Sequence, residues 1–271
     1  MNHALVIGIA AGTLILAQPS SREPSSLPAD AEAPSSARRL PAVDKPHPLI
    51  CEILYAVPTG ESGDASGDGT RSATGDEFIE LVNPHDTPIE LRGYTLTDRS
   101  MGKGNALKFE FPACTLAPGG VVVVFNGFET TFGSSAGESD KAGGADRRFH
   151  GARVFSMRAT SSRQALSNTG DAVVLFAPDG SAVQRVKWGK VDGKLPDARL
   201  NEDAPTTNRG SVQRDGVHRG SRFAAHAEVR ADGSSEGVRY SPGLFVMRDK
   251  ARPDADPQEE ADKPEPTRKR K

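Results

Sequence analysis

The chain reads as an all-β protein with unstructured ends, and three observations predict it. Glycine (28) and proline (20) are plentiful among the 271 residues, which suits many tight turns between short strands. Outside the N-terminus, no window repeats apolar residues at helical spacing over three turns. The 36% of hydrophobic residues, low but compatible with a core, gather in short runs bounded by turn residues. A formal net charge of −2 gives no general attraction to nucleic acid or anionic membrane, so binding of either would need a local patch.

The first run, Ala4 to Ala17, is too short to span a bilayer comfortably but suits a signal peptide over residues 1–17, with Ile15 and Ala17 at the cleavage positions. The expected location is therefore outside the cytoplasm: periplasmic, cell surface or extracellular. No Lys or Arg precedes the run, so an uncleaved anchor is the alternative. Residues 18–46 are rich in Pro, Ser and Ala and read as a linker, followed by a folded domain over 47–247. Residues 248–271 mix both charge signs with proline, a tail ending in Arg268, Lys269, Arg270 and Lys271.

Within the domain, strands are expected at Leu49–Val57, in EFIELVN, in TPIELRG and in YTLTD, with Asn83-Pro84-His85-Asp86 as a turn. Another covers Lys108–Phe111. After Pro118-Gly119-Gly120, a valine run ending at Phe125 is continuously apolar, which predicts burial on both faces or on one face plus loop cover. A polar excursion follows from Glu129 to Arg163. Pro178-Asp179-Gly180 then joins Ala172–Ala177 to Ala182–Trp188 as a hairpin.

Cys51 and Cys114 are the only cysteines. In an exported chain two thiols suggest a disulfide, and this one would close a loop of about sixty residues, worth roughly 4 kcal/mol in the chain-entropy picture. Both sit in apolar strand-like contexts (LICEIL, FEFPAC), so two independent buried thiols are the alternative.

Taken in series, ICEI, GDEFIELVNPHDTPIELRGYTLTD, FEFPACTLAPGGVVVVFN, ALSNTGDAVVLFAPDGSAVQRVKWG, GSVQRDG and YSPG resemble a lamin tail domain of the bacterial exported type. The resemblance spans about His47 to Val246. It implies an immunoglobulin-like β-sandwich with long loop insertions that binds protein partners or nucleic acid and catalyses nothing itself. The chain departs from the pattern at Cys51, where an asparagine is usual, in an enlarged Glu61–Thr74 loop and in the Glu129–Arg163 insertion.

Candidate chemistry is sparse. Asp64, Ser66 and Asp68 imitate the start of a calcium loop within Glu61–Asp76, but the position that needs a bidentate Glu is Gly75. In the sandwich that the resemblance implies, Glu52, Glu77 and Glu80 would lie on two close strands, and paired carboxylates can serve as acid and base in an accessory or weak hydrolase. That reading requires Glu52 and Glu80 to converge in a solvent-open cleft. The six histidines have no ligand spacing, and no nucleophile elbow, P-loop or dinucleotide loop occurs, so neither metal nor cofactor is expected.

Arg147, Arg148, Arg153, Arg158 and Arg163, together with Arg268–Lys271, are candidates for an anionic partner such as an envelope polymer or nucleic acid. Phe149 and Phe155 are expected to tether the insertion, and Tyr94 and Trp188 to fill the core. An edge strand at TPIELRG would allow self-association by β-augmentation. The leading expectation is an exported non-enzymatic module that presents its loops to a protein or polymer partner.

Overall fold

The computed structural model describes residues 46–217, 220–229 and 239–245. The signal peptide, the linker except Pro46, and the tail with Arg268–Lys271 lie outside the described residues.

The strands are β1 (Leu49–Ala56), β2 (Phe78–Val82), β3 (Ile89–Glu90), β4 (Thr95–Thr97), β5 (Lys108–Glu110), β6 (Thr115–Leu116) and β7 (Val121–Phe125). After these come β8 (Arg153–Ser156), β9 (Gly170–Phe176), β10 (Ala182–Gly189), β11 (Leu200–Ala204), β12 (Gly210–Arg214) and β13 (Phe223–Ala225). One sheet runs β13-β12-β1-β2-β7-β8, a second β11-β10-β9-β4-β5, and β3 and β6 pair as a small ribbon. Most neighbours are antiparallel; β8 joins β7, and β11 joins β10, in parallel. The result is the expected β-sandwich.

The main core lies between the sheets. Ile50, Ile53, Leu81, Val122 and Val124 from the first sheet meet Leu96, Phe109, Val173, Leu175 and Val186 from the second. Trp188 stacks on Tyr55 with ring centroids 4.3 Å apart and donates its indole N–H to the Ser167 carbonyl at 2.8 Å, the polar handle a buried Trp needs. Phe155 of β8 packs edge to face against Phe109 and Phe111, closing one side of the sandwich.

A second apolar cluster covers the outer face of the first sheet. Leu54, Phe78, Val123, Phe125 and Val154 point outward from their strands and are buried by Phe149 and Ala136 of the insertion, with Phe132 and Tyr240 packed at its margin. Burial of the valine run on both faces follows: Val122 and Val124 serve the inner core, Val123 and Phe125 the outer one. The insertion is thus half of a core.

The expected disulfide is corrected here, because both cysteines are free and buried. Cys51 is the extra residue of a bulge in β1 between the Ile50–Leu81 and Glu52–Glu80 pairs, and its thiol donates to the Glu80 carboxylate at 3.2 Å. Cys114 lies instead in the core between the sheets. Two sulfurs in different layers cannot reach the short Cβ–Cβ separation a bridge requires. Burial, reinforced by Glu80, pushes the Cys51 thiol well up, so the reactive thiolate is suppressed. Neither thiol is expected to react with a disulfide reagent until the chain unfolds, and a reductant should leave the melting temperature unchanged. A drop in that temperature on reduction would restore the bridge.

Candidate functional site

The bulge at Cys51 turns Glu52 onto the outer face, directly across from Glu80 on β2. Both are fully buried. The segment Arg239–Phe245 crosses over them as a strap. Glu52 accepts from the Ser241 amide (2.9 Å) and hydroxyl (2.9 Å), the Ser211 hydroxyl (2.7 Å) and Gln213 Nε2 (3.3 Å). Glu80 accepts from the Gly243 amide (2.6 Å) and from Cys51. His226 Nε2 lies 2.9 Å from Ser241 Oγ, which also lies 2.9 Å from Glu52 Oε2 and 3.1 Å from the Leu244 carbonyl oxygen, so this hydroxyl sits buried within the strap's own network. The two carboxylates converge under a lid of backbone, and the solvent-open cleft required of an acid–base pair is not formed.

Gly243 shows how closely the strap is seated. Its φ is +86°, and a Cβ there would stand 2.2 Å from the Phe149 carbonyl oxygen. Gly243→Ala is therefore expected to lift the strap and lower the urea midpoint. An unchanged midpoint would mean that the strap contributes nothing to folding.

Glu77 belongs elsewhere. It precedes β2 and accepts from the Leu166 amide at 3.0 Å, tying the start of the β9 approach to the first sheet. Burial pushes its carboxyl well above the usual carboxylate range, and nearby Asp171 adds to the rise, while the amide opposes it. A raised folded value means that the stabilising contribution is complete below the ordinary glutamate pKa and is lost as pH rises through the folded one. Glu77→Gln keeps an acceptor for Leu166 and removes the buried charge. It is expected to raise the melting temperature at pH 7 but not at pH 4, and an equal effect at both values would exclude titration as the cause.

The enlarged loop is locally ordered by its own carboxylates. Asp64 accepts from Asp68 N (3.1 Å) and Gly69 N (2.8 Å), and Asp76 from Ser66 N (2.8 Å) and Ser72 N (2.6 Å). Asp68 accepts from Thr131 N at 2.7 Å, joining this loop to the insertion. Oxygens a cation would take are thus committed to amides, and among the described residues no group of three or more His, Cys, Asp or Glu is placed to hold a metal ion. Tyr240 closes over the loop, donating to the Ser62 carbonyl at 2.8 Å; burial with Asp76 and Asp64 nearby pushes its phenol up to about 12.

The insertion arginines differ in what they engage. Arg148 forks onto Asp146 (2.8 Å) and lies over the Phe149 ring, Arg153 donates to the Gly143 carbonyl (2.8 Å), and Arg158 meets Glu138 at 2.6 Å. Arg147 and Arg163 are exposed, and their side chains make no hydrogen bond or ion pair with a described residue.

Two depressions on the surface of the described residues bear on binding. One, of about 420 Å³, lies where Pro46, Pro88 and Pro178 surround Tyr94, whose hydroxyl is 2.7 Å from His47 Nδ1. The other, of about 360 Å³, is a polar cleft inside the insertion between Thr130–Ser134 and Gly137–Lys141. Neither had a sequence signal. The edge expected at TPIELRG is partly occupied, since β3 pairs with β6 and Glu90 accepts from Arg92 N and Cys114 N.

Residues 49–190, just over half of the chain, match the family model described as Lamin Tail Domain. The chain belongs to the lamin tail domain family. A comparison with curated proteins found no match. The lamin tail domain is a non-enzymatic, immunoglobulin-like β-sandwich, which makes this part of the chain a binding or structural module. The strap, β11, β12 and β13 lie beyond the matched residues yet complete the first sheet, the second sheet and the cover over Glu52 and Glu80. Among the described residues, no helix is long and apolar enough to cross a membrane.

Proposed function

We propose that the protein is an exported, non-catalytic binding module of the cell envelope or surface, whose lamin-tail sandwich holds its insertion out to an envelope polymer or protein. The observation that carries this reading is the fate of the polar residues. Glu52, Glu77 and Glu80 are buried and spent on the fold, whereas the insertion keeps its cleft, Arg147 and Arg163 open to solvent. Export is supported by the apolar run Ala4–Ala17, and an anionic partner by the exposed arginines and the terminal Arg268–Lys271.

The test is co-sedimentation of the protein with isolated cell envelopes over a salt series, beside a form lacking Arg248–Lys271 and the variant Arg147→Ala/Arg163→Ala. Pelleting is expected, weakened by salt and by the double substitution. Pelleting that needs only the tail would move attachment off the sandwich, and no pelleting would remove the envelope assignment.

A further inference from the structure

We propose that the polar cleft of the insertion binds a carboxylate-bearing saccharide unit of an acidic polysaccharide. This rests on the envelope-polymer reading and names the chemistry of the ligand.

The cleft is built on the sheet. Gly127, two residues past β7, and Ser156, the last residue of β8, both line it; a Cβ on Gly127 would lie 2.1 Å from the Ser156 hydroxyl oxygen, so the two segments meet there without a gap. One wall is held to the edge of β8 by Gly137, whose amide donates to Val154 O (2.8 Å) and whose carbonyl accepts from Ser156 N (2.9 Å). The opposite wall is tied down by Thr131 N on Asp68. A ligand would therefore meet a preformed site.

Its walls carry a surplus of donors. Lys141 and Arg158 bring two positive charges against one carboxylate, Glu138, which Arg158 already engages. Lys141 uses one N–H on the Ser134 carbonyl (3.1 Å) and keeps two, and the Arg158 side chain is 71% exposed, leaving its remaining N–H groups available. The hydroxyls of Thr131 and Ser134 add further exposed donors or acceptors. The lining therefore calls for one anionic group and several neutral oxygens. Phe132, half-buried and backed by Phe125 at 5.2 Å, supplies an apolar surface for the C–H face of a pyranose ring.

A carboxylated sugar meets each of these needs, whereas a bare phosphate would leave the ring and the hydroxyls unused. The volume of about 360 Å³ falls within the range of about 300–1,000 Å³ usual for small-ligand sites. Glu129 and Arg158, beside the cleft, hold left-handed φ values of 53° and 51°, a costly backbone state that concentrates at ligand sites.

Titration calorimetry of the full chain with trigalacturonate should show one saturable site, with no comparable heat from maltotriose or inorganic phosphate. Lys141→Ala and Arg158→Ala should each weaken binding by about tenfold, as expected for the loss of a charged hydrogen bond. Lys194→Ala, exposed and outside the cleft, should bind as the parent does. Melting temperatures should stay equal throughout, since these side chains are exposed. Phosphate binding as tightly as trigalacturonate, or indifference to both cleft substitutions, would overturn the assignment. Envelope pelleting of the same proteins separates the two claims: pelleting without trigalacturonate binding sinks the saccharide site alone, and loss of both sinks the envelope reading as well.

Discussion

A chain ended at Lys190, where the family match stops, is expected to show no cooperative unfolding, whereas one ended at Met247 should melt like the full chain. The reason is the position of β1. It sits between β2 and β12, with Glu52 opposite Gln213 and Ile53 opposite Val212. Without β12, β13 and the strap it becomes an edge, and Val212 and Phe223 leave the core. Glu52 then loses Ser211, Gln213 and Ser241, and Glu80 loses the Gly243 amide. Leaving a buried carboxyl without its hydrogen-bond donors costs about 1–3 kcal/mol. Two such losses, added to the missing apolar contacts, are comparable to the whole stability of an ordinary domain, about 5–15 kcal/mol. Circular dichroism over a temperature ramp decides it, and a sigmoidal transition in the Lys190 form would show that the matched region folds without its C-terminal complement.

Much of the sandwich was legible because its strands announce themselves. Leu49–Ala56, Phe78–Val82, Val121–Phe125 and the hairpin around Pro178-Asp179-Gly180 are apolar, short and bounded by turn residues. The strands that escaped reading are those whose reason for existing lies in another part of the chain. RVFS of β8 is four residues in a polar excursion, and becomes a strand only by parallel addition to β7. LNEDA of β11 has no strand pattern at all; it is fixed by β10, with Glu202 held by Arg214 and by Gln184 Nε2 at 2.6 Å.

The carboxylates divide the same way. That Glu52 and Glu80 would lie on close strands followed from the resemblance to the lamin tail domain, but the bulge that sets them face to face and the strap that covers them did not. Ser241 reaches Glu52 from 189 residues away, and nothing in YSPG indicates its target. The cleft was hidden for a related reason: it depends on Gly127, Gly137 and Ser156 arriving at one sheet edge, and none of them carries a chemical signature of its own.

The insertion supplies the second large effect. Phe149→Ala is expected to cost about 3–5 kcal/mol, the loss typical of a well-packed core phenylalanine, although the residue lies in a long polar stretch. Its ring is buried, 5.3 Å from that of Phe125, on the outer face of the valine strand. Gly243 of the strap packs against its backbone. Removing the ring leaves a void bounded by Phe125 and Val154, and neither wall can move in, because each side chain belongs to a strand fixed by its ladder. Arg148→Ala, which takes away only the exposed cation over the same ring and a surface ion pair, should cost no more than about 1 kcal/mol. Urea unfolding separates the two: the Phe149 variant should lower the midpoint strongly with the slope unchanged, and the Arg148 variant barely at all. A Phe149→Ala effect within about 0.5 kcal/mol, the range of ordinary surface changes, would mean that the insertion is an appendage and that the outer face of the first sheet is buried by something else. If the large loss is found, the insertion has two sides with separate duties: an inner side that the sandwich needs in order to fold, and an outer side whose cleft can change without touching stability.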